Sequence, residues 1–134
     1  MTDTARILNR IPYAGFLGLR ADASDQGDRV VMPFADHLIG NPMLPALHGG
    51  STAALLEITA IALVAVRYPR PRLPKPINVT VSYLRSGRPR DTHASAQIRR
   101  AGRRVLHVTA EAWQDQGADP IATLNAHFLL GQDA

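Results

Sequence analysis

The segment Leu47-His48-Gly49-Gly50-Ser51 and the acid Glu57 stand at the head of the longest apolar run in the chain. Two glycines before a helix let a ligand come close to the backbone and leave N–H groups without partners. Those groups lie at the positive end of the helix dipole, where a carbonyl oxygen turning into an oxyanion can be held. A plain glycine turn capping the helix is the other reading, and the glycines alone do not decide. Glu57 sharpens the choice. Its neighbours are Leu55, Leu56, Ile58 and Ile61, and a carboxylate among them is unfavourable unless paired or functional. In a dry pocket it suits a general base or a nucleophile. Led through a gap to water, or paired with an arginine, it is structural.

Eight residues separate Gly49 from Glu57, about 12 Å along one helix axis. A reacting group needs its donor and its base within about 3 Å each, so one helix cannot serve one carbonyl with both. The simple solution is a two-fold dimer with antiparallel helices. Gly49 of one chain then faces Glu57 of the other, at two sites per dimer. Ser51 and Thr52 lack a visible base, which argues against a serine triad; Ser51 is expected to cap the helix. Thr59 either lines a polar wall or bonds back to the preceding turn. His93, His107 and His127 fall in strands at different registers and His37 in a loop, a spacing that fits no metal site.

The elements that must position these groups follow from periodicity. Residues 4–10 have helical spacing, within an N-terminal helical segment over 1–15, and Pro12 stops them. Residues 16–23 and 28–34 read as short strands about a polar turn at 24–27. Residues 35–47 hold two prolines and a glycine and read as an irregular loop. Residues 51–66 form a helix that is apolar almost all round, hence buried. Pro69, Pro71, Pro74 and Pro76 then impose an extended connection. Residues 77–83, 92–99, 104–113 and 121–130 alternate with period two, as half-buried strands do. The expectation is α+β: two strands, one long buried helix, then four antiparallel strands wrapped around it.

At 134 residues the chain makes one domain, 1–134, and its 46% apolar and 19% charged residues suit a packed core. It has no cysteine, which excludes disulfides, thiolate metal sites and a cysteine nucleophile. The first residues show no secretory signal. The apolar stretch Ala53 to Val66 is too short and too polar to span a bilayer. A cytoplasmic domain is therefore expected.

Taken together, these residues resemble the hotdog-fold acyl-CoA thioesterases, in the branch named for phenylacetate degradation. The resemblance covers about Phe16 to Leu130. It rests on Asn41-Pro42, Leu47-His48-Gly49-Gly50, the acid Glu57, the strand Val79-Thr80-Val81-Ser82-Tyr83-Leu84-Arg85, and the closing Ala126-His127-Phe128-Leu129-Leu130. It implies a hotdog fold, a homodimer and often a dimer of dimers, that is, a homotetramer. The implied reaction is hydrolysis of an acyl-CoA to a carboxylic acid and free CoA. Coenzyme A belongs to the substrate, and no further cofactor is implied. By resemblance, the Gly49 amide looks like the donor to the thioester carbonyl and Glu57 like the catalytic carboxylate. Asn41 matches an asparagine that positions water or thioester, and His48 the motif histidine that orders the loop. Three departures stand out. Many relatives carry aspartate in place of Glu57. The stretch from Asn41 to His48 is one residue longer than usual and contains Pro45. Pro76 replaces a frequent hydroxyl residue.

The net charge of +4 is nearly all arginine, Lys75 being the only lysine. Arg85, Arg88 and Arg90 flank one turn, and Arg99, Arg100, Arg103 and Arg104 another. Arginine grips phosphate through paired hydrogen bonds, so Arg85, Arg88 and Arg103, with Gly50, are candidates for binding the substrate. Solvated turns are the alternative. Nucleic-acid binding has only seven aromatics and no motif behind it. Ala53, Ala54 and Leu56 are candidates for lining an acyl pocket. Two other functions stay open: a non-catalytic hotdog dimer that binds acyl-CoA as sensor or carrier, and a dehydratase of the same fold. The dehydratase subgroup pairs Asp with His on one short segment, which this sequence lacks.

Overall fold

The computed structural model describes residues 1–22, 29–115 and 119–131. In chain order it contains helices α1 (Asp3–Leu8) and α2 (Pro12–Leu17), strands β1 (Arg20–Asp22) and β2 (Arg29–Met32), and a 3-10 turn over Asp36–Leu38. The short strands β3 (Ile39–Asn41) and β4 (Ala46–Leu47) come next, then helix α3 (Gly49–Arg67). Strands β5 (Lys75–Tyr83), β6 (Thr92–Ala101), β7 (Val105–Trp113) and β8 (Ala122–Leu129) complete the chain. Six strands form one antiparallel sheet in the order β1-β2-β6-β7-β8-β5. The sheet packs on α3 in the hotdog arrangement.

Period-two patterning sets which face meets the helix. Leu106, Val108, Ala110 and Ala112 of β7 and Ala122, Leu124, Ala126 and Phe128 of β8 are buried, while the residues between them are exposed or half-buried. Alanines alternate with larger side chains, so α3 lies close over β6, β7 and β8. Leu55, Leu56, Ala60 and Val64 of α3 are fully buried. The Thr59 hydroxyl, also buried, donates to the Leu55 carbonyl at 2.7 Å, which settles it as a bond to the preceding turn.

Four details differ from the sequence reading. The strand expected over 16–23 is confined, among the described residues, to β1 (Arg20–Asp22), because Phe16 and Leu17 still belong to helix α2. Pro12 stands at its first turn, where a missing N–H costs nothing. Gly18, at φ 74°, ends it, with the Leu19 N–H bonded to the Ala14 carbonyl at 2.9 Å. The loop over 35–47 contains the β3–β4 hairpin. Helix α3 begins at Gly49, so both glycines are inside it rather than before it. It reaches 19 residues with a mean hydropathy of 1.7, long and apolar enough to cross a bilayer, though 61% of that stretch is buried within the domain. The turn read at 24–27 and residues 116–118 lie outside the described residues.

Gly18 yields a stability prediction. Its left-handed backbone is unfavourable for any residue with a Cβ, although nothing lies within 4 Å of the place a Cβ would take. Gly18→Ala is expected to lower the unfolding free energy by about 1 kcal/mol, measured by urea denaturation.

Candidate active site

The start of α3 opens on a cleft of about 560 Å³, lined by Asn41, Leu47, His48, Gly49, Thr52, Tyr83 and Arg85 among others. His48 holds the helix N-terminus. Its backbone is extended (φ −65°, ψ 129°), and its Nδ1 accepts the Gly50 N–H at 2.9 Å. Accepting there puts the ring proton of the neutral imidazole on Nε2. The His48 carbonyl takes the Ser51 N–H at 3.0 Å and the Ser51 hydroxyl at 2.7 Å. The cap expected at Ser51 is thus supplied by His48, because Gly49 and Gly50 are already helical and the half-in position falls one residue before them. The Gly49 N–H, first in the helix, has no acceptor among the described residues.

The glycines are there for space. A Cβ on Gly50 would sit 2.9 Å from His48 Nδ1. One on Gly40 would sit 2.7 Å from the His48 Cα, so Gly40 lets β3 lie against the loop. One on Gly49 would meet the Tyr83 ring at 3.3 Å. Tyr83, at the end of β5, also donates its hydroxyl to the Gly49 carbonyl at 2.9 Å. Asn41 lines the same cleft, with its Oδ1 accepting the Met43 N–H at 3.0 Å. Its NH2 is the part left for a ligand.

Glu57 stands elsewhere. It is half-buried in a groove of about 430 Å³ with Ile11, Tyr13, Ala53, Ala54, Ile58, Ile61, Leu73, Pro74 and Val79. No arginine, lysine or histidine pairs with it among the described residues. It is neither sealed in nor salt-linked. Ala53 and Ala54 share this groove, whereas Leu56 belongs to the closed core. The groove and the cleft have no lining residue in common, although both open on α3.

Arg85 lies on the rim of the cleft and, with Arg88 and Arg90, lines an adjoining cavity of about 780 Å³. Arg85 pairs with Asp119 at 2.9 Å and Arg90 with Asp115 at 2.6 Å. The Arg88 backbone is held at both polar atoms by the Gln114 side chain, and its own side chain enters no described ion pair. Arg103 lies at the other end of the sheet, in the turn between β6 and β7. Gly50, at the helix start, has its N–H taken up by His48.

Two features escaped the sequence reading. The Tyr83–Gly49 bond joins residues 34 positions apart and leaves no local pattern. His107 and His127, expected at different registers, are directly opposite on β7 and β8, with rings 4.8 Å apart. They bond Asn125 and Asn78 at 2.6 and 3.0 Å. Pairing register between strands depends on the turn joining them, which each strand's own alternation does not report. No group of three metal-ligating side chains occurs among the described residues.

An antiparallel sheet around one long helix, with a clefted helix start, defines a hotdog-fold member of the thioesterase superfamily. Residues 40–129 match the acyl-CoA thioesterase N-terminal domain family, and the chain belongs to it. A solved protein from Chromobacterium violaceum is 34% identical, with a TM-score of 0.71 over 96% of this chain and 89% of that one. A phenylacetic acid degradation-related protein from Ralstonia eutropha is 24% identical, with a TM-score of 0.79 over 96% of this chain and 100% of that one. A Bacillus halodurans protein solved with CoA is 22% identical, with a TM-score of 0.75 over 95% of this chain and 85% of that one. No functionally curated protein matches the chain.

Proposed function

We propose that this protein hydrolyses an acyl-CoA thioester to a carboxylic acid and free CoA, and that it does so as a homodimer. The Gly49 N–H of one subunit polarises the thioester carbonyl. Glu57 of the facing subunit acts as general base toward water or attacks the carbonyl itself. One observation carries the reading: a carboxylate without a cation beside it among the described residues stands in an open apolar groove, separate from the cleft at the helix start. A second copy supplies the missing half of each site.

β5 offers the means of pairing. It is an edge strand of the sheet, nine residues long, bonded to β8 on one side. An edge of that length is a ready template for a further strand. Antiparallel pairing with a second β5 would set the Lys75 end of one subunit beside the Tyr83 end of the other. Lys75 is level with Leu129 and Val105, so the turn bearing Arg103 comes to the same place. In this arrangement Arg103 of one subunit and Arg85 and Arg88 of the other approach the CoA phosphates from two sides. Asn41 and His48 line the approach to the carbonyl. The CoA bound by the Bacillus halodurans protein is consistent with such a ligand here.

The test is turnover of an acyl-CoA panel, read as free thiol, for wild type and Glu57→Gln. Thiol release by wild type and its loss in the variant support the reading. Tight CoA-thioester binding with no thiol released would make the protein a sensor or carrier instead. Arg88→Ala should raise KM for an acyl-CoA about three- to tenfold with kcat unchanged. It should leave KM for the matching acyl-N-acetylcysteamine, which lacks the nucleotide, where it was.

A further inference from the structure

The Gly49–Gly50 peptide unit is gripped at both polar atoms by side chains from different parts of the fold. Its oxygen accepts the Tyr83 hydroxyl at 2.9 Å, and its N–H donates to His48 Nδ1 at 2.9 Å. The Tyr83 ring also lies against Gly49, within 3.4 Å of where a Cβ would be. We infer that Tyr83 is a positioning residue for the hydrolysis: it fixes the Gly49–Gly50 peptide next to the Gly49 N–H and, through the Gly50 N–H, holds His48 in the tautomer that keeps a proton on Nε2. The inference rests on the proposed thioesterase reading.

The physical argument runs along the bonds. A single peptide plane has one rotational freedom against a helix start, and two fixed ends remove it. The preceding unit is fixed too, because the His48 carbonyl takes the Ser51 N–H and hydroxyl. A peptide N–H points opposite to its carbonyl, so the Gly49 N–H is directed away from Ser51 and the helix body. Donation from the phenol polarises the Gly49 carbonyl and strengthens the Gly50 N–H of the same peptide as a donor to Nδ1. Nε2–H becomes the better donor in turn. Tyr83 is 56% exposed, so its hydroxyl could turn to water; its bond to a helix carbonyl therefore reflects geometry, not a need for burial.

The experiment uses the full chain and its Tyr83→Phe variant, which keeps the ring and removes the hydroxyl. Expected are a kcat lowered about three- to tenfold, KM within twofold of wild type, and an unchanged subunit assembly by gel filtration. ¹⁵N NMR of His48 should show protonated Nε2 in wild type and a mixture of tautomers in the variant. A variant with wild-type kcat, or a wild-type His48 protonated on Nδ1, would overturn the inference. So would a variant that loses activity only by changing its assembly. If Tyr83→Phe matches wild type while Glu57→Gln is inactive, the clamp fails and the thioesterase reading stands. If wild type releases no thiol from any acyl-CoA, the thioesterase reading fails and takes the catalytic role of Tyr83 with it, whatever the NMR shows.

Discussion

Glu57→Ala is expected to lower kcat for acyl-CoA hydrolysis by roughly 10²–10⁴-fold, the range for removing a positioned base. Stability should hold or rise. The carboxylate is half-buried among Ile11, Ala53, Ala54, Ile58 and Ile61, with no cation against it among the described residues. Removing an uncompensated charge from such a setting relieves desolvation instead of breaking a bond. Thermal denaturation should therefore show a melting temperature no lower than wild type, and gel filtration the same assembly. That pairing of intact fold with lost turnover separates a reacting group from a structural one. A melting temperature that falls in step with activity would return Glu57 to a structural role. Single turnover in ¹⁸O-water then tests the covalent route: label recovered in Glu57 reports a mixed anhydride opened by water at the Glu57 carbonyl.

Mixing two inactive variants should restore activity, and this is the most direct consequence of a site shared between subunits. Gly49→Val places a branched side chain where even a Cβ meets the Tyr83 ring at 3.3 Å, blocking the cleft and spoiling the donor. Glu57→Ala leaves the cleft whole but removes the acid. Each homodimer lacks one half of both sites. In a mixed dimer, one site combines both defects and the other combines neither. Random reassortment makes half the dimers mixed, so about a quarter of wild-type turnover should return. Coexpression with two affinity tags isolates the mixed species, whose kcat per dimer should reach about half that of wild type. No recovery in the purified mixed dimer would mean that each chain builds its own site.

Much of the fold was legible because buried strands write their period into the sequence. Leu106, Val108, Ala110 and Ala112 announce a face, and the face is where expected. The buried helix was equally plain, since no breaker interrupts residues 51–66. Local structure near residue 12 was not. Pro12 serves either to end one helix or to begin the next, and only Gly18 in a left-handed conformation shows which. The candidate site was legible in its parts: His48, Gly49 and Glu57 stand out by type and neighbourhood. What holds those parts was not. The Tyr83 phenol reaches Gly49 across the sheet edge, and the His107–His127 stack needs the β7–β8 register. Such contacts depend on how strands are laid side by side, not on any one strand's residues.

Helix α3 bears the proposed oxyanion donor at its first residue and an acid two turns further on, each opening on a different hollow. A newly made chain is on these terms inert toward the thioesters around it, however well folded. Its specific activity should fall on dilution, with a midpoint at the subunit dissociation constant, so the cell's supply of the protein would tune both the amount of catalyst and the fraction of it that is switched on.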